Sequence, residues 1–458
     1  MEMERRYPAV SEPWNCFAMI TCKFGGKKRE SAGAKKRSAK EGMVKVKKFK
    51  AHSLIDKIYS RLNLLIAYER VKENKGAAGI DRVSLDEFER NLEQNIEEIH
   101  RLLYEDKYIS SPVRRVNIPK GNGKMRPLGI PTVRDRVMQQ AVLNKVGKIF
   151  EPKFKDCSYG FRPNRSGLQA IAKVEEYLRE GYQWVVEVDI ESFFDTLQQE
   201  MLIDLVAEEI ADGRVLKLIR SILQSGVMED MGVKYQTTGT PQGGVISPLL
   251  ANIYLHPYDE KMMAEGYKAV RYADDVVVLC KSKSEAERAY ARTRQILEGE
   301  LKLKLNEDKT KIAHKSQSFE FLGYLFGCGY SDYKMPREKA IESFRKKVRW
   351  ITRRQQPRKV TDIIKELNPV IRGWRNYFKF GRSKKVFWEL DCWIENRLRA
   401  FKTKSWGLRT HLKMPHEVFE QMGLVTLNET FYPNYNNLLP VKGQQYRKAV
   451  YGKTVSTV

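Results

Sequence analysis

The most informative stretch of this sequence is Arg271-Tyr272-Ala273-Asp274-Asp275-Val276-Val277-Val278. Two β-prone runs within residues 269–279 meet at an acidic pair, which is the pattern of a β-hairpin with two carboxylates at its turn. Aspartates are also ordinary turn residues, because their short side chains bond to nearby backbone groups. Taken alone, the pair therefore predicts a hairpin and favours a structural role over a catalytic one.

A third carboxylate follows a separate strand. Residues 184–190 form a short apolar run that contains Asp189 near its end, as expected of a buried strand. Magnesium is commonly held by one or two carboxylates together with substrate phosphates. Two such ions stabilise both the attacking and the leaving oxygen of an in-line phosphoryl displacement. If the two strand ends adjoin, Asp189, Asp274 and Asp275 supply the carboxylates for such a site.

A glycine-rich stretch lies between these strands, and it reads Gly239-Thr240-Pro241-Gln242-Gly243-Gly244-Val245-Ile246-Ser247-Pro248-Leu249-Leu250-Ala251-Asn252. Glycines let the backbone approach a ligand closely. Ser247 followed by Pro248 is a good N-cap and first helical residue. The pattern predicts a loop that feeds directly into a helix, and an ordinary loop–helix junction is the alternative.

The formal charge of +26 is unevenly distributed. Residues 51–334 carry 42 basic and 42 acidic residues, whereas residues 1–50 carry 14 against 5 and residues 335–458 carry 27 against 10. A balanced body between basic ends is typical of a catalytic domain held on a polyanion by its flanks, and nucleic acid is the first candidate. In the C-terminal region the charges alternate with aromatic residues: Trp350, Trp374, Tyr377, Phe378, Phe380, Phe387, Trp388 and Trp393.

Several classes of protein are disfavoured. The six cysteines form no C-x-x-C pair and no Cys/His cluster, which argues against a structural zinc site and a disulfide framework. No run of about 18 apolar residues occurs, and the start lacks the apolar core of a signal peptide. The default expectation is therefore a soluble protein of a reducing compartment, the cytoplasm.

Hydrophobic periodicity predicts the remaining elements. They are, in chain order, a helical region 54–103 with a loop at 75–81, a hairpin 113–130 around Gly121-Asn122-Gly123, a helix at about 133–149, helices at about 199–225, and basic helices from about 327 to 422. The last thirty or so residues have an irregular pattern.

Three stretches together resemble the palm motifs of reverse transcriptases, in the order in which that family carries them. Tyr272-Ala273-Asp274-Asp275 is similar to the catalytic turn, and Asp189-Ile190-Glu191-Ser192-Phe193-Phe194-Asp195 is similar to the motif of the first metal ligand. Residues 239–252 resemble the motif that lies against template and incoming nucleotide, and residues 118–131 resemble the fingers motif.

This resemblance implies the site residues. Asp189, Asp274 and Asp275 are the expected catalytic residues and, with Ile190, the expected ligands of two Mg²⁺ ions, for which Mn²⁺ can substitute. The expected contacts of the deoxynucleoside triphosphate are Lys120, Arg126, Phe194, Gln242 and Lys309. The expected contacts of an RNA template and of a DNA or RNA primer are Gly239, Pro241, Gly243, Tyr272 and Arg162. A ring at Phe194 would lie beneath the sugar and clash with a 2′-hydroxyl, and Lys309 would donate a proton to the leaving pyrophosphate.

Further stretches resemble the group II intron-encoded branch of the family: Lys75 to Ser84, Tyr159 to Ser166, and the maturase thumb, or domain X, at Asn368 to Tyr377. The implied fold class is α+β, a right-hand polymerase. Its fingers and palm, an antiparallel sheet plus helices, would occupy residues 51–334, and an α-helical thumb or domain X would occupy residues 335–425. Residues 1–50 are expected to be a basic, disordered tail and residues 426–458 an irregular basic tail.

The resemblance further implies an RNA-directed DNA polymerase that also acts as a maturase and binds group II intron RNA. The expected thumb contacts of that RNA are Arg345, Lys346, Arg353, Arg372 and Arg375. Two alternatives share the same motifs. One is a domesticated enzyme working without an intron partner in phage defence, diversity generation or DNA repair. The other is an RNA-binding splicing chaperone without polymerase activity. No histidine and cysteine cluster of a His-Asn-His endonuclease is present, so endonuclease activity is not expected.

Overall fold

A computed structural model of the chain describes residues 50–120, 124–229, 232–234, 238–240, 243–327, 334–403 and 414–428. The predicted tails lie outside these residues, apart from residue 50 and residues 426–428. Two compact units divide the described chain between Lys315 and Ser316. The domain bounds inferred from charge and from the family resemblance stay predictions.

The first unit is mainly helical at its N-terminal end. Its helices are α1 (Ile55–Tyr59), α2 (Arg61–Glu73), α3 (Leu85–Arg90), α4 (Leu92–Tyr104), α5 (Val133–Phe150), α6 (Gly167–Arg179), α7 (Phe193–Thr196), α8 (Gln199–Ala207), α9 (Gly213–Leu223), α10 (Ser247–Ala264) and α11 (Lys283–Arg294), which a π-helical turn at Gln295–Glu300 extends. The helix predicted from residue 133 is confirmed as α5, and the predicted loop after residue 75 separates α2 from α3.

Two four-stranded sheets complete this unit. The first has the order β2-β1-β4-β5 and consists of β1 (Val113–Lys120), β2 (Lys124–Ile130), β4 (Val227–Glu229) and β5 (Gly232–Lys234). The second has the order β6-β7-β3-β8 and consists of β3 (Trp184–Asp189), β6 (Lys268–Tyr272), β7 (Asp275–Cys280) and β8 (Lys311–His314). All pairs of the second sheet are antiparallel. The predicted hairpin β1–β2 is confirmed, and its tip at 121–123 lies outside the described residues.

The second sheet is the centre of the unit because both of its faces are covered. Val276 to Cys280 are all buried in β7, and successive side chains of a strand point to opposite faces. Helix α11 packs against β3 and β7, while α6 and α10 pack against β6. A strand covered on both faces reads as a continuous apolar run, which is how β3 and β7 stand out in the sequence.

One local prediction was wrong. Helix α10 begins at Ser247, so Ile246 occupies the cap position, and no side chain caps the helix there. The Ser247 hydroxyl lies instead 3.2 Å from the Thr240 hydroxyl, in the loop that precedes the helix. The serine therefore ties the glycine-rich loop to the helix through its side chain rather than by capping.

The second unit consists of a small sheet followed by helices. Its sheet has the order β11-β10-β9, with β9 (Phe319–Phe321), β10 (Tyr324–Phe326) and β11 (Lys334–Pro336). Its helices are α12 (Glu338–Ile351), α13 (Val360–Phe378), α14 (Lys384–Thr403) and α15 (His416–Gln421). The basic helical region expected after residue 327 is thus observed, preceded by a strand that the sequence analysis did not identify.

Aromatic packing joins the helices of this second unit. The Trp374 ring lies 4.8 Å from Phe344, 4.6 Å from Phe378 and 5.5 Å from Phe387, measured between ring centroids. Trp374, which is partly buried, therefore packs against the buried aromatic rings that join these helices. Among the described residues, no helix combines the length and the apolar character needed to cross a lipid bilayer.

Candidate active site

The acidic turn, residues 273–275, joins β6 to β7. Tyr272 and Asp275 are paired across the hairpin, which leaves Ala273 and Asp274 as a two-residue loop. Ala273 has a φ of +57°, a left-handed conformation that is unusual for alanine. The hairpin expected from the sequence is thus present, with Asp274 at its tip and Asp275 as the first residue of the returning strand.

Asp189 lies next to this turn. Strands β3 and β7 are antiparallel neighbours, and Asp189 is the direct partner of Asp275 in their register. Directly opposed residues in such a pair have Cα atoms about 4.5–5.5 Å apart. The two strand ends that carry the three carboxylates therefore adjoin at one edge of the sheet.

A segment after α11 supports the end of β3. The backbone N–H of Asn306 donates to the Asp189 carbonyl at 2.9 Å, and the Thr310 hydroxyl lies 3.3 Å from the Asp189 N–H. Ile190, which is buried, bridges to Leu305. These contacts fix the main chain at the point where the Asp189 side chain leaves it.

The Asp189 carboxylate already accepts a cation. The Lys309 ammonium lies 2.8 Å from Asp189 Oδ2, and the Asp189 side chain is 40% exposed. Within the part of the chain that the structure describes, no three His, Cys, Asp or Glu side chains are arranged to hold a metal ion. The hard oxygen donors suit a divalent cation, and such an ion has to compete with Lys309 for Asp189.

A buried arginine stands directly behind the acidic turn. Arg271 is fully buried, and its guanidinium pairs with Asp259, with Nε 2.8 Å from Oδ1 and Nη2 2.5 Å from Oδ2. The same group donates to the Ala273 carbonyl at 2.9 Å, to Asn252 Oδ1 at 3.0 Å and to the Ser158 hydroxyl at 2.8 Å. Burial disfavours its charge, but Asp259 outweighs this and raises the pKa of Arg271. The turn is therefore held from behind by a fixed guanidinium.

The loop at residues 157–165 docks beside the same hairpin. Arg271 N–H donates to the Cys157 carbonyl at 2.7 Å, and Tyr159 N–H donates to the Arg271 carbonyl at 2.8 Å. A Cβ atom at Gly160 would lie 2.3 Å from the Ala273 nitrogen. Glycine is therefore required at residue 160, because only a bare backbone fits against the acidic turn.

Arg162 points into the protein, although the resemblance made it a template or primer contact. Its guanidinium donates to Glu151 Oε1 at 3.0 Å, to the Lys155 carbonyl at 2.7 Å and to the Ser158 carbonyl at 2.9 Å. Its side chain is only 5% exposed. In this structure Arg162 therefore stabilises the loop, because these acceptors use its donors.

The glycine-rich loop approaches the segment that carries Phe194. Gly239 has a φ of +83°, and a Cβ atom there would lie 2.8 Å from the Phe194 carbonyl oxygen. The Thr240 N–H donates to that same oxygen at 2.7 Å. Phe194 is half-buried against Phe193, with ring centroids 5.2 Å apart. The glycine-rich loop, which is predicted to lie against the template, thus fixes the backbone of Phe194, which is predicted to contact the nucleotide sugar.

The same loop also reaches the β1–β2 hairpin. Gly243 has a φ of +114°, and a Cβ atom there would lie 2.4 Å from the Gly129 carbonyl oxygen in β2. Pro241 and Gln242 lie outside the described residues. Lys120 and Arg126 belong to β1 and β2, where Lys120 is paired with Lys124 and Arg126 with Ile118. The structure describes only the backbone of these two cations.

The predicted RNA-binding cations of the second unit lie on or just after α12 and α13. Arg353 lies 5.0 Å from the centre of the Trp350 ring, which is 54% exposed, and Arg345 lies 6.0 Å from the Trp393 ring. The remaining three differ in their surroundings: Lys346 pairs with Glu342 at 3.0 Å, Arg375 donates to the Thr426 carbonyl at 3.0 Å, and Arg372 is exposed.

Sequence reasoning missed the residues that position the acidic turn. Arg271 was recognised only as part of a β-prone run, and nothing in the sequence marked Asp259 or Ser158 as residues that position the turn. The available clue was a charged residue inside an apolar run, since arginine is almost never fully buried unless it is paired. The sequence alone could not identify that partner as Asp259, which lies on α10, the helix before β6.

Two protein families match this chain, and their matches together include residues of both units. The family described as reverse transcriptase (RNA-dependent DNA polymerase) matches residues 118–326. The family described as group II intron, maturase-specific domain, matches residues 341–415. The two matches together cover the acidic turn, the Asp189 strand, most of α12 and all of α13 and α14.

Two bacterial proteins are similar to this chain over more than half of its length. Protein YkfC of Escherichia coli K12 is 37% identical over 291 residues, which are 55% of this chain and 76% of that protein. The group II intron-encoded protein LtrA of Lactococcus lactis is 33% identical over 345 residues, which are 59% of this chain and 57% of that protein. The chain thus spans less than two thirds of LtrA. A solved partial Cas6-RT-Cas1–Cas2 complex is 25% identical over 54% of this chain and 42% of that one, with a TM-score of 0.35.

Proposed function

The chain belongs to the group II intron-type family of reverse transcriptases with a maturase-specific domain, and from this premise we propose that it copies an RNA template into cDNA at the acidic turn. The observation that carries the proposal is the register that sets Asp189 opposite Asp275. Reverse transcriptases need carboxylates from two separate strands to meet at one edge of the palm sheet. In this chain the strand ends that carry Asp189 and Asp275 are direct neighbours, which supports the proposal.

Divalent ions supply the charge that activates the primer 3′-hydroxyl and neutralises the leaving pyrophosphate. We propose two Mg²⁺ ions, with Mn²⁺ as a substitute, held by Asp189, Asp274, Asp275 and the backbone carbonyl of Ile190. A metal ion held by Asp189 would displace the Lys309 ammonium, which lies 2.8 Å from Asp189 Oδ2. This closeness to the proposed metal site supports the proposed role of Lys309 as proton donor to pyrophosphate.

The triphosphate is proposed to lie between the palm and the β1–β2 hairpin. Lys120 and Arg126 are carried on that hairpin, and Gln242 belongs to the loop that meets it at Gly243 and Gly129. Charge-assisted contacts from such cations are strong and match phosphate oxygens. The base of the incoming nucleotide is selected by pairing with the template and not by the protein.

Phe194 is proposed to exclude ribonucleotides. Replacing Phe194 with valine removes the ring from beneath the sugar, so we expect discrimination between deoxy- and ribonucleotides to fall about 10- to 100-fold, the scale on which an apolar pocket rejects an added hydroxyl. The measurement is the ratio of kcat/KM for dCTP and CTP in single-nucleotide extension. A Phe194→Tyr variant keeps the ring and should keep the ratio. Unchanged discrimination in the valine variant rules the gate out.

The second unit is proposed to bind intron RNA and to assist splicing. The maturase-specific family matches residues 341–415, and exposed cations on this unit stand beside aromatic rings that suit unpaired bases. Arg345, Lys346, Arg353, Arg372 and Arg375 are the proposed contacts. The polymerase and maturase proposals separate in one experiment: an Asp274→Ala enzyme should still promote splicing of its intron RNA while making no cDNA.

RNA binding should depend steeply on salt. Each phosphate contact releases counterions, so the logarithm of the binding constant should fall linearly with the logarithm of salt concentration, by roughly 0.7–0.9 per contact. An Arg372→Gln variant should weaken binding at all sequences and reduce that slope by about 1. Filter binding between 50 and about 400 mM salt measures both quantities. Lys283→Gln, an exposed cation on α11, is the matched control, and an equal effect there would show that only net charge matters.

A further inference from the structure

An exposed aromatic residue stands beside the acidic turn in a strained conformation. Phe161 is 55% exposed, and its ring lies 6.1 Å from the Tyr272 ring, measured between centroids. Its φ is +56°, in the left-handed region that a bulky residue seldom adopts. Asn164, three residues later, also has a positive φ, but asparagine tolerates that region.

The surrounding loop holds Phe161 in this conformation. On its N-terminal side, Gly160 packs against Ala273, and the Asn252 side chain donates to the Gly160 carbonyl at 2.8 Å. On its C-terminal side, the Arg162 guanidinium is buried among Glu151 and the carbonyls of Lys155 and Ser158. Both neighbours are thus fixed to the protein, while the ring between them is turned outward.

Strain of this kind persists where the surroundings enforce it, and it is concentrated at functional sites. An aromatic ring that is exposed and fixed costs little entropy when a base packs on it. Tyr272, its neighbour, directly precedes the acidic turn, where the 3′ end of a primer has to lie for extension. The nucleotide expected to pack on the Phe161 ring is therefore the terminal nucleotide of the primer strand.

We propose that Phe161 and Tyr272 form an aromatic platform that packs against the primer-terminal nucleotide and places its 3′-hydroxyl at the acidic turn. The proposal rests on the proposed polymerase function and deepens it. It assigns the nucleic-acid contact of this loop to Phe161 instead of Arg162, because the Arg162 guanidinium donates to acceptors within the protein. Phe161 is a positioning residue, because it holds the primer rather than reacting with it.

The test uses the full-length protein with a DNA primer on an RNA template. Phe161→Asn removes the ring but keeps a residue that tolerates a positive φ, so the loop retains its shape. Base–aromatic packing corresponds to about 5- to 100-fold in affinity. We expect the KM for primer–template to rise by that factor and kcat to fall as well, because the 3′-hydroxyl is then held less precisely at the acidic turn. Phe161→Tyr should restore the wild-type KM, and Tyr104→Ala, which removes an exposed ring on α4, should change neither constant.

A spectroscopic measurement separates this proposal from the proposed function. A primer ending in 2-aminopurine should be quenched on binding to the wild-type protein and to Phe161→Tyr, and less quenched by Phe161→Asn. This signal needs no catalysis, so a wild-type protein that binds and quenches but never extends a primer would refute the polymerase and leave the platform standing. Equal quenching and equal KM in Phe161→Asn and the wild type would overturn the platform. So would equal losses in the asparagine and tyrosine variants, since the ring would then have no role.

Discussion

Replacing Asp274 with alanine is expected to abolish cDNA synthesis, with a loss of at least about 1,000-fold in the rate of primer extension. Asp274 forms the tip of the acidic turn, and its carboxylate is a proposed ligand of the metal ions. Asp189→Ala should have an effect of the same size, because Asp189 faces the turn across the β3–β7 register. Extension of a DNA primer on an RNA template with all four dNTPs measures both.

The control is Asp204→Ala, an exposed aspartate on α8 that is not one of the proposed metal ligands. This variant should extend primers at the wild-type rate. All three variants should keep the wild-type unfolding midpoint to within a few degrees, since each side chain is at least partly exposed. Extension that survives Asp274→Ala would contradict the polymerase proposal, whatever the motifs suggest.

Breaking the buried ion pair behind the turn should give the largest loss of stability. Arg271→Met leaves the Asp259 carboxylate buried without its cation, and removal of one partner of such a pair costs roughly 3–5 kcal/mol. Urea unfolding of the purified variant measures this as a lower midpoint. Primer extension should also fail, because the Ala273 carbonyl loses the donor that holds the turn.

A double variant separates the two effects. Arg271→Met with Asp259→Leu removes both charges, and a buried pair replaced by apolar residues often loses little stability. We therefore expect the double variant to recover part of the stability lost in Arg271→Met but not all of it, because the Ala273 carbonyl, Asn252 and Ser158 still lack their donor. It should still extend primers poorly. Arg220→Met, which breaks the exposed pair with Glu200, should cost less than about 1 kcal/mol and leave extension intact. Full extension by the double variant would show that the guanidinium stabilises the fold without positioning the turn.

Local pattern predicted much of this fold. The strands β3 and β7 read as apolar runs, the β1–β2 hairpin followed from glycines at its tip, and α5 followed from helical spacing. The strand order β6-β7-β3-β8 was beyond reach of such patterns. Strand β3 pairs with a strand that follows more than eighty residues later, and periodicity reports only which residues share a face. The family resemblance, not the periodicity, supplied the expectation that Asp189 meets the turn.

The sequence predicted which types of residue form the candidate site, but not where their side chains point. Carboxylates, glycines and a ring were recognised by type, but the direction of a side chain depends on partners that no spacing reveals. Arg162 illustrates this, because a cation in a loop is expected to face solvent, whereas three acceptors turn this one inward. Lys309 is a second example, because its pairing with Asp189 could not be predicted from the sequence. Its pairing with Asp189 makes the lysine a competitor for the cation site as well as a neighbour of it.

The network around Arg271 has a consequence for chimeric enzymes. Asn252 and Asp259 are seven residues apart on α10, two helical turns along one face, and both bind the same guanidinium. Ser158 and Gly160 complete the arrangement from a segment almost a hundred residues earlier. If the β6–β7 hairpin is exchanged for that of a relative, we expect it to position the acidic turn only when α10 and the loop at residues 157–165 are exchanged with it. The three segments hold one another in place through the Arg271 and Asn252 hydrogen bonds.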